Sequence, residues 1–566
     1  MIGLLFTVFT TIALSSALPN NARSDPKASA TLPIVDLQYA LHQATINETG
    51  KYYQFSNIRY AAPPTGDLRF AAPAPPAVNR TLNDGHHNPI CPQALPFWIQ
   101  LTAEFLSGAN SSKLQTVEEQ VASLENSLTV ESITSYKPVD PRTSEDCLFL
   151  DVIVPQSVYD EKKTVPVLVW IYGGGYVSGD KNSAGNPATL LATAKENSDG
   201  VVYVAMNYRL GLFGWLSGSS FASQNGLPNA ALHDQRFALE WVQKNIHLFG
   251  GDPSRVTVIG ESAGAGSIMH HMTAWGSTDD APFQQAIIQS PGFPPISSDA
   301  QQEKIFNSVI LQAQSLVSNN ITTVADLKKV DFATLAALNT IVIARSGPYG
   351  TFTFGPVVDG TYVPKLPSQL FAEGKYARNL KVMTAHNSDE GLIFTYPLTT
   401  ETFIANNLAN LFPNASNDTL SYMINTVWPP TYDGSYPYKN VIQRATVAIS
   451  ELTFNCNARY AALAYPESSH SYYFTVPPGY HAADVAYTFY NGDDNTLNAT
   501  VARTMQGYIT NFAKSDGNPN GPGLPVFPMY GNDSSMLVIS DTVLGSVQVD
   551  SAANDRCAWM QPAPYA

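Results

Sequence analysis

The sequence predicts an α/β fold in which helices cover both faces of a mostly parallel central sheet. Its 566 residues are 44% hydrophobic and 11% aromatic, which is enough apolar material for a large buried core. From residue 165 onward, short apolar runs rich in β-branched residues alternate with longer helical patterns. Buried strands that alternate with helices are typical of parallel sheets, because each connecting helix covers one face of the sheet.

Four apolar runs are the predicted strands of this sheet: VPVLVWIY (165–172), VVYVAMNY (201–208), VTVI (256–259) and AIIQS (286–290). Between the second and third runs, residues 232–246 carry apolar side chains in a helical pattern. A further helix is predicted to begin near Ala263. Active sites in parallel sheets lie at the carboxyl ends of strands, so polar residues that follow these runs are candidate functional residues.

Ser262 follows the third run and is the centre of the sequence G-E-S-A-G (260–264). A strand, then G-x-S-x-G, then a helix is the pattern of a nucleophile elbow, a sharp turn that leaves room only for small neighbours. The helix behind the serine offers free backbone N–H groups and a favourable dipole for an oxyanion. Ser262 is therefore a candidate nucleophile, and the alternative is a small residue that relieves crowding at the turn.

Three glycines, residues 173–175, follow the first predicted strand. Backbone N–H groups of such a loop can point at a substrate oxygen and complete an oxyanion hole. A tight turn and a phosphate cradle are the alternatives, and the phosphate cradle is excluded because no G-K-[ST] follows. We expect neither a cofactor nor a metal.

The charge balance excludes one class of partner. The chain has 31 basic and 46 acidic residues, which gives a formal net charge of −15. Nucleic-acid binding requires a basic face, so we expect no nucleic-acid partner. After the N-terminal segment, no stretch approaches the roughly 20 apolar residues that span a bilayer, so we expect no transmembrane segment in the mature chain.

Residues 1–17 have the pattern of a signal peptide. An apolar stretch from Ile2 to Leu14 is followed by the small residues Ser15-Ser16-Ala17, which suit cleavage. Anchoring of the chain through this segment is the alternative. Cleavage leaves residues 18–566, which we expect to be secreted to the extracellular space.

Glycosylation signals and cysteines agree with export. The chain has eight N-x-S/T sequences, at Asn47, Asn79, Asn110, Asn320, Asn414, Asn417, Asn498 and Asn532. Its four cysteines allow three pairings. Pairing Cys91 with Cys147 and Cys456 with Cys557 gives two separate loops, which suits an oxidising compartment.

Five segments show a resemblance to a known family: SEDCLFLDVIVP (144–155), VWIYGGGYVSGD (169–180), NYRLGLFGWL (207–216), the stretch 233–267 around the elbow, and FGPVVDGTYVP (354–364). They resemble the type-B carboxylesterases, which include cholinesterases, fungal lipases and sterol esterases, and most of all the secreted fungal members. The resemblance extends from about residue 35 to the C-terminus. It implies the α/β-hydrolase fold, a single catalytic domain over residues 18–566, and hydrolysis of carboxylic esters.

The resemblance implies a catalytic triad of Ser262, Glu390 and His481. Glu390 lies in HNSDEG (386–391) and His481 in PGYHAADV (478–485), and the order serine, acid, histidine is that of α/β-hydrolases. In this arrangement the histidine takes the serine proton, and the acid orients the imidazole and stabilises its cation. The implied oxyanion donors are the backbone N–H groups of Gly174, Gly175 and Ala263.

A second buried polar cluster beside the histidine is also implied by the resemblance, formed by Glu261, Ser290 and Asp484. Asp484 stands where the cholinesterases more usually have glutamate, and its side chain is shorter. Two other histidines, His270 and His271, lie closer in sequence to the candidate nucleophile. We expect them to be packing residues or residues on the surface of the helix that follows the elbow.

The resemblance also bears on structural contacts. It implies two ion pairs with a folding role, Arg69 with Glu145 and Arg209 with Asp234. It supports the pairing of the cysteines into the two separate loops described above. Many relatives have a further disulfide after the elbow helix, which this chain lacks because it has no cysteine between residues 148 and 455.

The loop between Cys91 and Cys147 bears on the choice of ester. It includes PFWIQLTAEFLSG (96–108), whose apolar side chains are Phe97, Trp98, Leu101, Phe105 and Leu106. In fungal lipases the corresponding loop contains the lid, and an amphipathic flap can open at a lipid surface. Residues 96–108 are thus a candidate lid within 91–147, or a helix packed permanently on the body. Choline esters are discounted because the sequence around Trp98 does not match the choline site.

Sequence and resemblance together predict a secreted serine carboxylic ester hydrolase that acts on a small-molecule or lipid ester through an acyl-enzyme. The alternative is a lid-gated lipase or sterol esterase for long-chain esters, with transient contact to a lipid interface. A remoter alternative is a non-catalytic binding module of the neuroligin type. Such modules typically lack the nucleophile, whereas this chain has Ser262, Glu390 and His481.

Overall fold

The computed structural model describes residues 32–127, 140–196, 198–276, 281–293, 299–317, 320–345, 347, 349–492 and 494–566. The predicted signal peptide, residues 1–17, lies outside the described residues. Within them, eleven strands form one large sheet and three form a small one. Among the helices of these ranges, none is long and apolar enough to span a membrane.

The strands are short. In chain order they are β1 (Ile34–Asp36), β2 (Ala40–Gln43), β3 (Thr45–Asn47), β4 (Tyr52–Arg59), β5 (Asn79–Asn83), β6 (Phe149–Pro155), β7 (Val165–Ile171), β8 (Val202–Met206), β9 (Gly251–Glu261), β10 (Gln285–Gln289), β11 (Lys381–Asn387), β12 (Ser469–Phe474), β13 (Ser535–Ile539) and β14 (Leu544–Val549). The large sheet has the order β14-β13-β12-β11-β10-β9-β7-β8-β6-β4-β3, and β1, β2 and β5 form the small sheet.

The centre of the large sheet is parallel. Seven consecutive strands, from β13 through β8 in the order above, pair in parallel. The outer strands pair antiparallel, with β14 at one edge and β6, β4 and β3 at the other. The predicted mostly parallel central sheet is therefore confirmed. Every residue of β7, β8 and β10 is buried, which is why these strands are continuous apolar runs in the sequence.

Helices fill the connections between the strands. They are α1 (Trp98–Leu106), α2 (Ser111–Ser127), α3 (Gln156–Asp160), α4 (Ala188–Ala194), α5 (Gly211–Trp215), α6 (Ser219–Ser223), α7 (Ala230–Asn245), α8 (Ala263–Met272), α9 (Asp299–Leu316), α10 (Val324–Leu327), α11 (Phe332–Ala344), α12 (Pro367–Ala372), α13 (Glu401–Leu411), α14 (Asn417–Tyr422), α15 (Val441–Ser450), α16 (Cys456–Ala464), α17 (Val485–Thr488), α18 (Ala499–Lys514) and α19 (Asp555–Met560). Short 3₁₀ turns cover Gly66–Leu68, Ile246–Phe249, Ala274–Gly276 and Glu390–Phe394, and π turns cover Met423–Val427 and Glu451–Asn455.

Helices pack on both faces of the sheet, as predicted. α8 packs against β9 and β10, while α18 packs against β7 and β9. Successive side chains of a strand point to opposite faces, so the complete burial of β7 and β10 requires cover on both sides. The core is therefore the region between the sheet and its two helical layers.

Several predicted boundaries differ from the structure by one or two residues, and one strand is much longer than predicted. The helix predicted over 232–246 is α7, which begins and ends slightly earlier, and the strand predicted over 256–259 is only the second half of β9. The first half of β9 has the polar sequence GDPSR, and its pairing with β7 shifts register after Gly251. A polar and irregularly paired strand end leaves no hydrophobic pattern in a sequence.

Two disulfides close the loops that the sequence analysis favoured. Cys91 pairs with Cys147, and Cys456 pairs with Cys557, so the predicted pairing is confirmed. The first disulfide closes the loop that carries α1 and α2. The second joins the start of α16 to α19, near the C-terminus.

Arg209 and Asp234 form a buried ion pair. The Nε and Nη2 groups of Arg209 donate to the two Asp234 carboxylate oxygens at 2.7 Å each, and both side chains are almost fully buried. Arg69 and Glu145 form a similar buried pair, with N–O distances of 2.5 and 2.7 Å. The Arg69 guanidinium also donates to backbone carbonyls just after α10. Both implied ion pairs are present and tie separate elements together.

The Asp234→Asn variant is expected to be strongly destabilised, because it leaves the buried guanidinium of Arg209 without a counter-charge. Breaking a buried pair in this way typically costs about 3–5 kcal/mol, which lowers the urea midpoint of unfolding followed by circular dichroism. The matched control is Asp140→Asn, in the partly exposed pair with Arg142, where the expected loss is about 1 kcal/mol or less. Equal losses in the two variants would contradict the structural role of the buried pair.

Candidate active site

Ser262 lies in the turn between strand β9 and helix α8, with backbone angles φ 55° and ψ −123°. Residues other than glycine rarely adopt positive φ, so the turn is strained. A Cβ on Gly264 would lie 2.0 Å from the carbonyl oxygen of Ile171, the last residue of β7. A Cβ on Gly260 would lie 2.8 Å from the carbonyl carbon of Gly264. Both glycines are therefore required by sterics, in agreement with the elbow pattern.

Three strand ends bring Ser262, Glu390 and His481 together. His481 Nε2 lies 2.7 Å from Ser262 Oγ, and His481 Nδ1 lies 2.5 Å from Glu390 Oε2. The three residues follow β9, β11 and β12, respectively, at the carboxyl end of the parallel strands. The acid and the imidazole are buried, whereas Ser262 is half-buried. The serine is therefore the member of this group that is accessible from outside.

The surroundings of His481 favour its cationic form. Burial by itself lowers the pKa of His481, but the carboxyl groups of Glu261 and Glu390 raise it above its ordinary value of 6.5. Burial conversely raises the pKa of Glu390, but the imidazole and two hydrogen bonds bring it below its usual range. The donors are Ser290 Oγ at 2.6 Å and the Asn387 backbone N–H at 2.5 Å. The imidazole is thus a stronger base than a histidine in water, and an anion lies at its Nδ1.

Glu261 adds a second carboxyl group at the imidazole. Its Oε1 lies 3.2 Å from His481 Nε2, the nitrogen that also contacts the serine. Burial raises the pKa of Glu261 to about 8, so the group is mostly protonated at neutral pH. Glu261 therefore raises the pKa of His481 only to the extent that it is ionised, whereas Glu390 acts over the whole neutral range.

Ser290 and Asp484 have partners that differ from the implied single cluster. Ser290 Oγ donates to Glu390, because Ser290 follows β10 and Glu390 follows the adjacent strand β11. Asp484 Oδ2 instead accepts hydrogen bonds from Tyr472 Oη at 2.7 Å and Gln289 Nε2 at 3.2 Å. In the part of the chain that the structure describes, these buried side chains thus form two hydrogen-bonded groups. One contains Ser290 and Glu390, and the other contains Asp484, Tyr472 and Gln289.

Gln289 and Tyr472 are buried residues of the site that the sequence analysis missed. Gln289 Nε2 lies within hydrogen-bond distance of three oxygens, on Tyr472, Asp484 and Thr488. Burial raises the pKa of Asp484 to about 6, so its charge depends on these donors. The sequence did contain one signal for this group, the glutamine near the end of the apolar run AIIQS. A polar side chain in a buried strand requires hydrogen-bond partners, so Gln289 indicated further buried polar residues beside it.

The glycine loop lies directly against the elbow. A Cβ on Gly173 would be 2.9 Å from Ser262 Cβ. A Cβ on Gly175 would be 2.4 Å from the ring of Phe352, so the loop is enclosed on its other side as well. The first N–H groups of a helix have no acceptor within the helix, and Ala263 is the first residue of α8. The loop of Gly174 and Gly175 and the start of α8 therefore meet at the serine.

Aromatic rings enclose the imidazole. The ring centroids of Phe454 and Phe394 lie 4.1 and 5.3 Å from that of His481. Trp98 packs in turn on Phe394 at 5.9 Å and on Phe352 at 5.6 Å. Phe454 belongs to the π turn between α15 and α16, and irregular turns of this kind frequently occur at functional sites. The sequence did not single out Phe394 or Phe454, since a phenylalanine at a site cannot be told from one in a core.

Helix α1 forms most of the candidate lid, residues 96–108, and is packed on the body of the protein. Trp98 Nε1 donates to the Thr351 carbonyl at 2.8 Å. Thr102 Oγ1 and Tyr349 Oη lie 2.5 Å apart. A closed lid and a permanently packed helix both make such contacts, so the two alternatives from the sequence both fit this arrangement.

His270 and His271 are both buried within α8. His270 Nδ1 lies 2.8 Å from the Gly266 carbonyl oxygen, and burial lowers its pKa to about 4. His271 lies 2.6 Å from Tyr362 Oη and 3.0 Å from Gln235 Oε1. They are packing residues, and the expectation of a place on the helix surface is wrong.

The eight candidate glycosylation sites all lie in described residues. Six are exposed: Asn79, Asn110, Asn320, Asn414, Asn417 and Asn532. Asn47 and Asn498 are half-buried, and Asn498 Oδ1 caps the start of α18. A glycan requires an accessible amide, so the six exposed side chains are the better candidates.

Comparison with known proteins agrees with the resemblance seen in the sequence. The pattern of the Carboxylesterase family matches residues 41–557. The chain is 40% identical to the carboxylesterase patB of Aspergillus clavatus, over 94% of this chain and 96% of that protein. It is 30% identical to a secreted lipase of Arthroderma benhamiae, over 68% of this chain and 74% of that protein.

Among solved structures, the chain is similar to EstA of Aspergillus niger, with a TM-score of 0.76 and 26% identity. The match covers 94% of this chain and 98% of that one. Family, relatives and fold agree with one another. The chain belongs to the carboxylesterase family and is a carboxylic ester hydrolase with the α/β-hydrolase fold.

Proposed function

We propose that this chain is a secreted serine carboxylesterase that hydrolyses its substrate through an acyl-enzyme on Ser262. One observation carries the proposal: the His481 imidazole lies 2.7 Å from Ser262 Oγ through Nε2 and 2.5 Å from Glu390 Oε2 through Nδ1. A hydroxyl, an imidazole and a carboxylate in this order are the working parts of a serine hydrolase.

The first half-reaction transfers the acyl group to the enzyme. His481 Nε2 accepts the proton of Ser262 Oγ as this oxygen attacks the ester carbonyl carbon, and Glu390 stabilises the imidazolium. The developing oxyanion is bound by the backbone N–H groups of Gly174, Gly175 and Ala263. The tetrahedral intermediate then breaks its bond to the alcohol oxygen, and His481 Nε2 returns the proton to that oxygen.

The second half-reaction removes the acyl group. His481 Nε2 accepts a proton from water as the water oxygen attacks the acyl-enzyme carbonyl carbon. The same N–H groups bind the second oxyanion. Cleavage of the bond to Ser262 Oγ releases the carboxylic acid, and the proton returns to the serine. Ester and water are thus converted to acid and alcohol, and no further reactant is consumed.

Export of the protein is part of the proposal. The sequence pattern of residues 1–17, the two disulfides and the similarity to a secreted lipase support it. The substrate is accordingly a small-molecule or lipid ester met outside the cell. The six exposed sequons are the proposed sites of glycosylation.

A lid-gated lipase for long-chain esters is the second candidate. It is favoured by the position of α1, whose Trp98 packs on Phe394 next to His481. Movement of this helix would change access to the imidazole. A non-catalytic binding module is disfavoured, because the three triad side chains are all present and in contact.

The Ser262→Ala variant is expected to lose kcat/KM for p-nitrophenyl acetate by about 10⁴- to 10⁶-fold, because the nucleophile is absent. Its thermal unfolding should stay close to that of the wild type, since alanine fits the same small space. The control is Ser254→Ala at an exposed serine, which should keep wild-type kinetics. Substantial turnover by purified Ser262→Ala would remove this serine from the mechanism.

The kcat/KM of the wild type is expected to fall as the pH decreases through the raised pKa of His481, because only the neutral imidazole accepts the serine proton. The midpoint of this acid limb lies above the ordinary value of 6.5. Glu261→Gln removes the small fraction of negative charge that Glu261 carries below its pKa of about 8, so the limb should move to lower pH by only a small amount. Glu240→Gln, at an exposed residue of α7, is the control and should leave the profile in place. A limb that moves to higher pH in Glu261→Gln would rule out the electrostatic role of Glu261.

The carboxylesterase proposal predicts a hyperbolic dependence of rate on tributyrin concentration that continues smoothly through the solubility limit. A lid that opens at a lipid surface would instead give an abrupt increase once substrate aggregates form. The measurement is the initial rate of acid release in a pH-stat, with soluble triacetin as the control substrate. An abrupt increase for tributyrin alone would favour the lipase alternative.

A further inference from the structure

A cavity of about 290 Å³, open to solvent on one side, lies between α1, α2 and the end of α11. Its lining includes the apolar side chains of Leu101, Val121 and Ala344, together with the charged residues Glu118 and Arg345. This volume is close to the roughly 300 Å³ at which pockets for small ligands begin. Neither the triad nor the glycine loop contributes to the lining, so the cavity is separate from the catalytic centre.

Trp98 lies between this cavity and two rings, Phe352 and Phe394, which contact each other at 6.4 Å and face the catalytic centre. Its indole lines the cavity and also packs on Phe352 and Phe394. Phe394 packs on the His481 imidazole at 5.3 Å, and Phe352 lies against Gly175 of the glycine loop. Phe394, which contacts the imidazole, and Phe352, which lies against the glycine loop, therefore both contact the indole of Trp98.

The position of the indole is fixed on several sides. Its Nε1 donates to the Thr351 carbonyl at 2.8 Å, and its ring packs on Tyr349 at 5.4 Å. Tyr349 is held in turn by its contact with Thr102 of the same helix, α1. A side chain that is hydrogen-bonded and packed in this way is a fixed wall rather than a flexible filler.

We propose that Trp98 determines specificity by holding the rings of Phe352 and Phe394 in place at the end of the substrate-binding space, so that the wild-type enzyme accepts esters whose acyl or alcohol arm is short or compact. The cavity behind the indole is the space that a longer arm would occupy if the indole were removed. Its side chains Leu101, Val121 and Ala344 would contact an aliphatic chain. This inference rests on the proposed function, because it requires that esters react at Ser262.

The test uses two series of esters and three proteins. One series lengthens the acyl arm, from p-nitrophenyl acetate to p-nitrophenyl decanoate, and the other lengthens the alcohol arm of linear alkyl acetates. In the wild type, kcat/KM should decrease as the arm exceeds the space in front of the indole. In Trp98→Ala, the ratio of kcat/KM for long against short esters should rise by about tenfold or more in one of the series. Trp98→Phe keeps a ring in place and should stay near the wild-type ratio.

Refilling the cavity provides the matched control. Ala344→Leu should reverse the gain when combined with Trp98→Ala, because the added side chain lies in the lining of the same cavity. On its own, Ala344→Leu should leave the length profile as in the wild type, because the indole already excludes substrate from that space. A selective loss of long esters in this single variant would show that substrate already enters the cavity, and would overturn the inference.

The outcomes separate the inference from the proposed function. An unchanged long-to-short ratio in both series, measured on folded Trp98→Ala, would overturn the role of Trp98 while leaving ester hydrolysis intact. Absence of ester hydrolysis in the wild type would overturn the proposed function instead. If circular dichroism shows that Trp98→Ala does not fold, the single Ala344→Leu variant decides between the two arrangements.

Discussion

The active site depends on how closely helix α8 approaches the end of strand β7. There is no room for a side chain at Gly264, because a Cβ would lie 2.0 Å from the Ile171 carbonyl oxygen. The chain therefore leaves β9 and enters α8 in a single turn, and Ser262 takes a positive φ. That strained conformation persists because the strands on either side are fully buried and cannot shift to relieve it. The strained turn places the Ser262 hydroxyl above the edge of the sheet, where the His481 imidazole lies within hydrogen-bond distance.

The remaining groups lie at the same edge for a topological reason. β7, β9, β10, β11 and β12 are parallel, and the residues after them are the glycine loop, Ser262, Ser290, Glu390 and His481. Burial raises the pKa of the Glu390 carboxyl group, but the His481 imidazole lowers it, and the hydrogen bond from Ser290 at the end of the adjacent strand adds to that effect, so the net pKa is lowered. One sheet edge thus carries the serine hydroxyl, the imidazole, the Glu390 carboxyl group and the Ser290 hydrogen bond to that carboxyl group. The lower pKa of Glu390 and the higher pKa of His481 have a common origin in this geometry.

Much of the fold and the centre of the site could be predicted from the sequence. Continuous apolar runs identified β7, β8, β10 and the second half of β9, because these buried stretches have few polar positions. The central strands β11 and β12 were not identified, because buried polar side chains interrupt their apolar pattern. The G-E-S-A-G segment identified Ser262, because its turn tolerates only small neighbours. Glu390 and His481 stood out through the family resemblance and would not have done so through spacing. The disulfide pairing likewise needed the resemblance to choose among three possibilities.

The partners of the buried polar residues could not be predicted in the same way. Whether Ser290 contacts Glu390 or Asp484 depends on which strand lies beside β10, and strand order across a sheet is not contained in local patterns. Phe394 and Phe454 escaped notice because aromatic residues at a site and in a core have the same composition signal. Residues 251–255 were missed as part of β9, since their polar side chains follow no strand periodicity.

The wide separation of Ser262 and His481 along the chain has a consequence for biosynthesis. Ser262 and His481 are 219 residues apart, and β13 is added beside β12 only after His481 has been made. A ribosome therefore exposes the serine long before the histidine, and until then the Ser262 hydroxyl lacks the imidazole that contacts it in the folded chain. The partner of Cys456 is Cys557, which emerges later still. The contact between the serine and the imidazole can therefore form only after most of the chain has been made, and a polypeptide interrupted before His481 lacks it.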